Sequence, residues 1–76
     1  MSRRIPAVTA REVIRVARRL GFEFDRQRGS HAVYRRPSDG ARLVVPIHKG
    51  RTLKRKTVRG IIEDMGIDPE RFVNFL

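Results

Sequence analysis

The sequence contains no cysteine, so this 76-residue chain folds without disulfides and without a zinc–thiolate site. A chain of this length is near the lower limit of what one apolar core can stabilise, and aliphatic residues and four phenylalanines must form that core. No apolar run approaches the roughly 20 residues that a membrane-spanning helix needs, and the polar N-terminal residues do not resemble a signal peptide. We therefore expect a single domain over residues 1–76 and a cytoplasmic location.

Acidic residues are also scarce, with eight Asp and Glu against 18 Lys and Arg, which gives a net charge of +10. The few carboxylates are scattered, so the sequence predicts neither a magnesium site nor any other metal or cofactor. A strongly basic domain attracts polyanions, and arginine holds phosphate with two donors. Nucleic acid is therefore the expected ligand class, although a compositional bias toward arginine is the alternative explanation.

The first helix is marked at both ends. Thr9 and Glu12 have the spacing of a capping box, and Gly21 can adopt the left-handed conformation that ends a helix. The helical period predicts one buried face, made of Ala10, Val13, Ile14, Ala17 and Leu20. It places three arginines on the outer face, namely Arg11, Arg15 and Arg18.

Three strand-like segments follow, at residues 22–28, 31–36 and 41–47, with turns at Gly29–Ser30 and at residues 37–40. Pro46 restricts the third segment to a strand end or a sheet edge. A second helix is predicted from about Lys54 to Met65, and a short third helix is predicted with Asp68 as its cap. Its apolar residues are expected to pack onto the core, namely Phe72, Phe75 and Leu76.

This order predicts an α+β fold, in which two helices cover one face of a three-stranded antiparallel sheet and a short C-terminal helix follows. The order helix–three strands–helix is that of the double-stranded RNA-binding domain. Two stretches, ARRLGFEFDRQRGSHAVYRRP and LVVPIHKGRTLKRKTVRGIIEDMGI, resemble a more specific group with that fold, the HicA toxin family of small ribonucleases. The most informative parts are Gly29–Ser30–His31 and the Pro46-x-His48 pair.

The resemblance implies a toxin of a type II toxin–antitoxin system, which cleaves mRNA during the stress response and is held inactive by a HicB antitoxin. It also implies that the histidine after the turn, His31, is catalytic. RNA cleavage needs two proton transfers and stabilisation of the phosphate, and histidine can perform either transfer near neutral pH. The predicted RNA-binding residues are those around His31 and in the basic segment after the third strand, namely Arg28, Gly29, Ser30, Arg35, His48, Lys49, Lys54, Arg55 and Lys56.

Some of these residues have alternative explanations. His48 is either a phosphate ligand, the second proton-transfer group or a solvated loop residue. Three cations at a helix start oppose the helix dipole, which favours an anion ligand there, but a solvated charged loop is the alternative. Alternation places Tyr34 on the opposite face of the sheet from His31, so we expect it in the core, and stacking on an RNA base is the alternative.

The sequence as a whole also allows two alternative interpretations. The chain could be a non-catalytic RNA-binding module or, ranked last, a DNA-binding protein. The sequence does not determine the oligomeric state, and a monomer is one of the states that it allows for the free protein.

Overall fold

The predicted order of elements is confirmed in the computed structural model, which describes residues 4–76. The elements are α1 (Ala10–Arg19), β1 (Glu23–Arg28), β2 (His31–Arg35), β3 (Arg42–Pro46), α2 (Arg55–Met65) and α3 (Pro69–Asn74). Within the described part of the chain, none of these helices is long and apolar enough to cross a membrane.

Helix α1 begins and ends as its sequence predicts. The Glu12 amide donates to the Thr9 hydroxyl, and the Thr9 amide donates to the Glu12 carboxylate over 2.9 Å, so the capping box is complete. At the other end Gly21 has a φ of 91°, and the Phe22 amide donates to the Ala17 carbonyl over 3.0 Å. This closure directs Phe22 into the core.

The buried face of α1 differs slightly from the predicted one. Val16 is fully buried, whereas Ile14 and Leu20 are only half-buried. The apolar stripe is therefore centred nearer to Val13, Val16 and Ala17 than the sequence pattern indicated, and Ile14 remains partly open to solvent.

The sheet is antiparallel, with the strand order β1–β2–β3. One face contributes Ala32, Tyr34, Leu43 and Val45 to the core, so Tyr34 is buried as predicted. Helices α1 and α2 both pack against β3 on this side and leave the other face open. An open three-stranded sheet with two helices on one face has the architecture of the double-stranded RNA-binding domain, which confirms the predicted α+β fold.

Strand β1 forms an uncovered edge of the sheet. Phe24 is 52% exposed and contacts Tyr34 edge-to-face, with the ring centroids 5.7 Å apart. Phe22 and Phe24 are two residues apart, a spacing that predicts the same face of a strand. Only Phe22 is buried, because only Phe22 lies beside a helix end. The pairing register also shifts between Phe24 and Arg26, so Asp25 forms an irregularity in the edge strand.

Arg36 joins the turn between β2 and β3 to the end of α1. Its guanidinium lies 4.5 Å from the centre of the Phe22 ring and donates to the Leu20 carbonyl over 3.3 Å. Two further bonds, of 2.9 and 2.8 Å, join it to the Asp39 carboxylate. This hydrogen-bonded pairing lowers the pKa of Asp39 to about 2. Arg36 is thus occupied by structural contacts.

Helix α2 buries the four residues that its sequence predicts, namely Val58, Ile61, Ile62 and Met65. Gly66 ends it with a φ of 79°, and Asp68 then accepts a hydrogen bond from the Arg71 amide as the cap of α3. Phe72 is fully buried and Phe75 is partly buried. Leu76, predicted to pack inward, is 39% exposed at the end of the chain, so that expectation was wrong.

Candidate functional site

His31 is the first residue of β2 and lies at one end of the sheet. It is paired with Arg28 on β1 and with Pro46 on β3. The preceding turn contains Gly29 with a φ of 56°, a backbone conformation that favours glycine, and no other atom would contact a Cβ there. The turn surface is therefore open, and the exposed His31 side chain is accessible beside it.

The segment between β3 and α2 brings His48 to the same end of the sheet. Its first residue, Ile47, donates its amide to the Ser30 carbonyl over 2.6 Å, which attaches the segment to the turn before His31. Its last part is anchored where the amide of buried Leu53 donates to the Val8 carbonyl over 2.8 Å. Both ends of the segment are thus held by residues distant in sequence.

His31 and His48 line one open pocket of about 360 Å³ between the sheet end and the start of α2. Two cationic residues, Arg51 and Lys54, line it with them, as do the hydroxyl residues Thr52 and Thr57. No Asp or Glu is among the lining residues. The pocket therefore combines two proton-transfer groups with a positive field, which suits a phosphate ester better than a cationic or apolar ligand.

The start of α2 adds to this field. Lys54 occupies the N-cap position but makes no capping hydrogen bond with its side chain, and the first turn contains no acidic residue. Among residues 4–76, no side chain accepts a hydrogen bond from the first amides of the helix, and no acidic residue of the first turn neutralises the positive end of the helix dipole. Anions bind favourably at such a position, and here it adjoins the two histidines.

The predicted site residues divide into two groups in space. His31, His48 and Lys54 share the pocket, while Arg28, Gly29 and Ser30 adjoin it through the turn. Lys49 lies next to it, in a neighbouring depression that also contains His48.

The other predicted residues lie apart from the pocket. Arg35 is at the opposite end of β2, about 13 Å along the strand from His31. The Arg55 guanidinium donates to the Ile5 carbonyl over 2.9 Å, so it holds the N-terminal segment in place. Lys56 is exposed but does not line the pocket.

Sequence reasoning missed Arg51, Thr52 and Thr57 as lining residues. Arg51 lies in the same basic segment as His48 and Lys49, so its charge was a usable signal. The threonines gave none, because their position depends on the contact of residues 52 and 53 with the segment before α1. Among residues 4–76, no three His, Asp or Glu side chains form a group that could hold a metal ion.

Fold and pocket together define a small basic protein of the double-stranded RNA-binding-domain type, with a histidine-containing pocket suited to phosphate. Residues 10–67 of the chain match the family described as the HicA toxin of bacterial toxin–antitoxin. The matched segment runs from the start of α1 to just beyond α2 and includes the whole pocket. The chain therefore belongs to the HicA family, and its class is the toxin component of a toxin–antitoxin system. A comparison with curated proteins finds no match.

Proposed function

We propose that this toxin is an endoribonuclease that cleaves mRNA, with His31 as a catalytic residue and without a metal ion. The main support is the pocket in which His31 and His48 lie beside Arg51 and Lys54, with no carboxylate among the lining residues. The family supports a toxin role, and a polyanion suits the chain's net charge of +10.

The chemistry needs two proton transfers. A base removes the proton of the ribose 2′-hydroxyl while its oxygen attacks the adjacent phosphorus, and an acid protonates the 5′-oxygen as the P–O bond breaks. The products are a 2′,3′-cyclic phosphate and a free 5′-hydroxyl, so no external reactant is consumed. His31 performs one transfer, and His48, which lines the same pocket, is the candidate for the other.

The cations around the histidines stabilise the charge that accumulates on the phosphate during attack. Arg51 and Lys54 lie in the pocket, and the start of α2 contributes its dipole. Arg28 and the open Gly29–Ser30 turn lie on the other side of His31 and can contact the next phosphate. Lys49 extends the positive surface beyond His48.

The partner that this proposal requires is a HicB-like antitoxin, which would inhibit the toxin by covering the His31 pocket. An acidic surface would complement the two histidines, Arg51 and Lys54, and would exclude RNA by occupying the phosphate positions. Because the proposed substrate is mRNA, the proposed location is the cytoplasm.

The test compares His31→Ala with Arg42→Ala as a matched control. Arg42 is on β3, on the same open face of the sheet as His31, and pairs with Arg35 at the other end of β2. Both variants should unfold at temperatures close to that of the wild type, since both side chains are exposed. His31→Ala is expected to lose about 10²–10⁴-fold in RNA cleavage rate, whereas Arg42→Ala should retain it.

Undiminished cleavage by folded His31→Ala protein would contradict the assignment of His31. RNA binding without any cleavage by the wild type would instead identify a non-catalytic RNA-binding module. A His48→Ala variant, assayed in parallel, separates a second proton-transfer role from phosphate binding. If His48 transfers a proton, the variant has a lower rate at saturating RNA. If His48 only binds phosphate, the variant mainly binds RNA less tightly.

A further inference from the structure

Two further depressions follow one another from the His31 pocket along α1, and only the first of them shares a residue with that pocket. The first has a volume of about 520 Å³, shares His48 with the His31 pocket, and is lined by Ile14, Ile47 and Lys49 among others. The second, of about 530 Å³, shares Arg11 and Ile14 with the first and is lined otherwise by Arg15, Arg18 and Arg19. The shared residues place the three depressions next to one another on the surface, and we call this run of depressions the groove.

The α1 end of this groove is strongly basic. Arg11, Arg15 and Arg18 repeat at the spacing of one helix face, and all three are exposed. The only acidic residue of α1, Glu12, is engaged with Thr9 in the capping box. Like charges at this spacing repel one another, so the arrangement is most favourable when an anion lies along the face.

The middle of the groove has a different character. Ile14 and Ile47 are half-buried, so each exposes part of an apolar side chain to the groove between the arginines and His48. An apolar floor with cations at both ends suits a ligand that alternates flat apolar groups with negative charges. An unpaired nucleic acid strand has this alternation, because its bases are free to pack while its phosphates contact cations.

We propose that this groove binds the single-stranded part of the RNA substrate on one side of the cleaved phosphate. One base packs on Ile14 and Ile47, and the following phosphates contact Arg11, Arg15 and Arg18. The inference rests on the proposed function, since it takes the His31 pocket as the position of the cleaved phosphate. The helix face from Arg11 to Arg18 is about 10 Å long, which corresponds to about three nucleotides at the ~3.4 Å spacing of a stacked strand.

A single strand fits this groove better than a duplex does. A duplex keeps its bases stacked inside and presents phosphates and sugars, which gain little from an apolar floor. A duplex would therefore use the arginines but leave Ile14 and Ile47 uncovered, whereas a single strand uses both features.

The test uses the full chain with His31→Ala, so that the RNA stays intact, and adds Arg15→Gln with Arg18→Gln. The matched control carries Arg42→Gln with Arg59→Gln, which removes the same two charges from exposed positions outside the groove. Affinity is measured for single-stranded oligoribonucleotides of increasing length and for a duplex of equal length, each across a salt series. Cleavage by the corresponding proteins with His31 intact is measured separately.

The groove variant is expected to reduce the slope of log affinity against log salt by about 1.4, at about 0.7 per lost phosphate contact. Between 50 and 200 mM salt, the parent protein should therefore lose about sevenfold more affinity than the groove variant. The affinity of the groove variant should also stop rising with oligonucleotide length about two nucleotides earlier, because two of the three phosphate contacts are lost. The control variant should keep the parent's length dependence.

An unchanged slope and length dependence in the groove variant would overturn the proposal and leave these arginines to a protein partner. A loss confined to the duplex would overturn it in favour of double-stranded RNA. If the wild type fails to cleave RNA but the groove variant still shows the predicted loss, the groove assignment stands and the proposed catalysis fails. If the wild type cleaves RNA but the groove variant binds RNA like the parent protein, the proposed catalysis stands and the groove assignment fails. The two failures are therefore distinguishable.

Discussion

Lys54 offers a sharp test, because stability and RNA binding should respond to its replacement in opposite directions. It is the N-cap residue of α2, with extended backbone angles (φ −64°, ψ 141°) that suit a capping side chain, yet its own side chain makes no capping bond. The first turn of α2 also lacks an acidic residue. Lys54→Asp would supply the missing acceptor and replace an unfavourable charge with a favourable one.

The size of the effect follows from these two features. A side-chain cap contributes about 1 kcal/mol, and each charge change at a helix start contributes about 0.3–1 kcal/mol. The variant should therefore be about 2 kcal/mol more stable than the wild type. In a domain of this size, 1 kcal/mol changes Tm by roughly 4–8 °C, so Tm should rise by about 8–16 °C.

The assay is thermal unfolding of Lys54→Asp beside Lys54→Ala, which removes the charge without adding a cap. The alanine variant should gain only about 0.3–1 kcal/mol. Both variants should bind RNA less tightly, and the alanine variant should reduce the salt slope by about 0.7 for one lost phosphate contact.

Two results would refute this reasoning. If Lys54→Asp is no more stable than Lys54→Ala, the start of α2 does not lack an acceptor in solution. If Lys54→Asp binds and cleaves RNA as well as the wild type, Lys54 does not contact phosphate, and the positive start of α2 has another cause.

Three further predictions concern metal, pH and Arg55. Excess EDTA should leave cleavage unchanged, and end analysis should find 2′,3′-cyclic or 3′-phosphate ends; activity restored only by Mg²⁺, with 5′-phosphate ends, would contradict the histidine mechanism. Asp39→Asn should lower Tm at neutral pH but not near pH 2. The pairing with Arg36 lowers the pKa of Asp39 to about 2, so the pair stabilises the fold above about pH 4 and this stabilisation is lost as the pH falls to about 2. A pH-independent difference in Tm would show that the ion pair is not the cause. Arg55→Ala should be about 1 kcal/mol less stable than Lys56→Ala, because each removes one charge from the start of α2 but only Arg55→Ala loses the bond to Ile5; equal Tm values for the two variants would contradict a structural role for Arg55.

Much of the fold was predictable because its signals are local. The Thr9–Glu12 capping box and the stop at Gly21 each act within a few residues, and both formed as predicted. The inward face of α2 followed from its period, and the Asp68 cap of α3 followed from residue type. His31 was singled out from its turn and from the HicA resemblance, and the family match over residues 10–67 supports that resemblance. Its catalytic role stays a prediction.

The tertiary structure alone decided which residues share the pocket. His48 is adjacent to His31 because Ile47 bonds to Ser30 and Leu53 bonds to Val8, contacts between segments far apart in sequence. The same long-range packing assigns Arg55 to the Ile5 carbonyl although its sequence neighbours are equally basic.

Burial at the edges of the molecule was likewise decided by what lies next to each residue. Ile14 is half-open on α1, Phe24 lies on an uncovered strand, and Leu76 ends the chain exposed, although all three are as apolar as their buried neighbours. A sequence period specifies which residues share a face, because it follows from backbone geometry. It does not specify how far a neighbouring element extends over that face, because coverage depends on where distant segments pack.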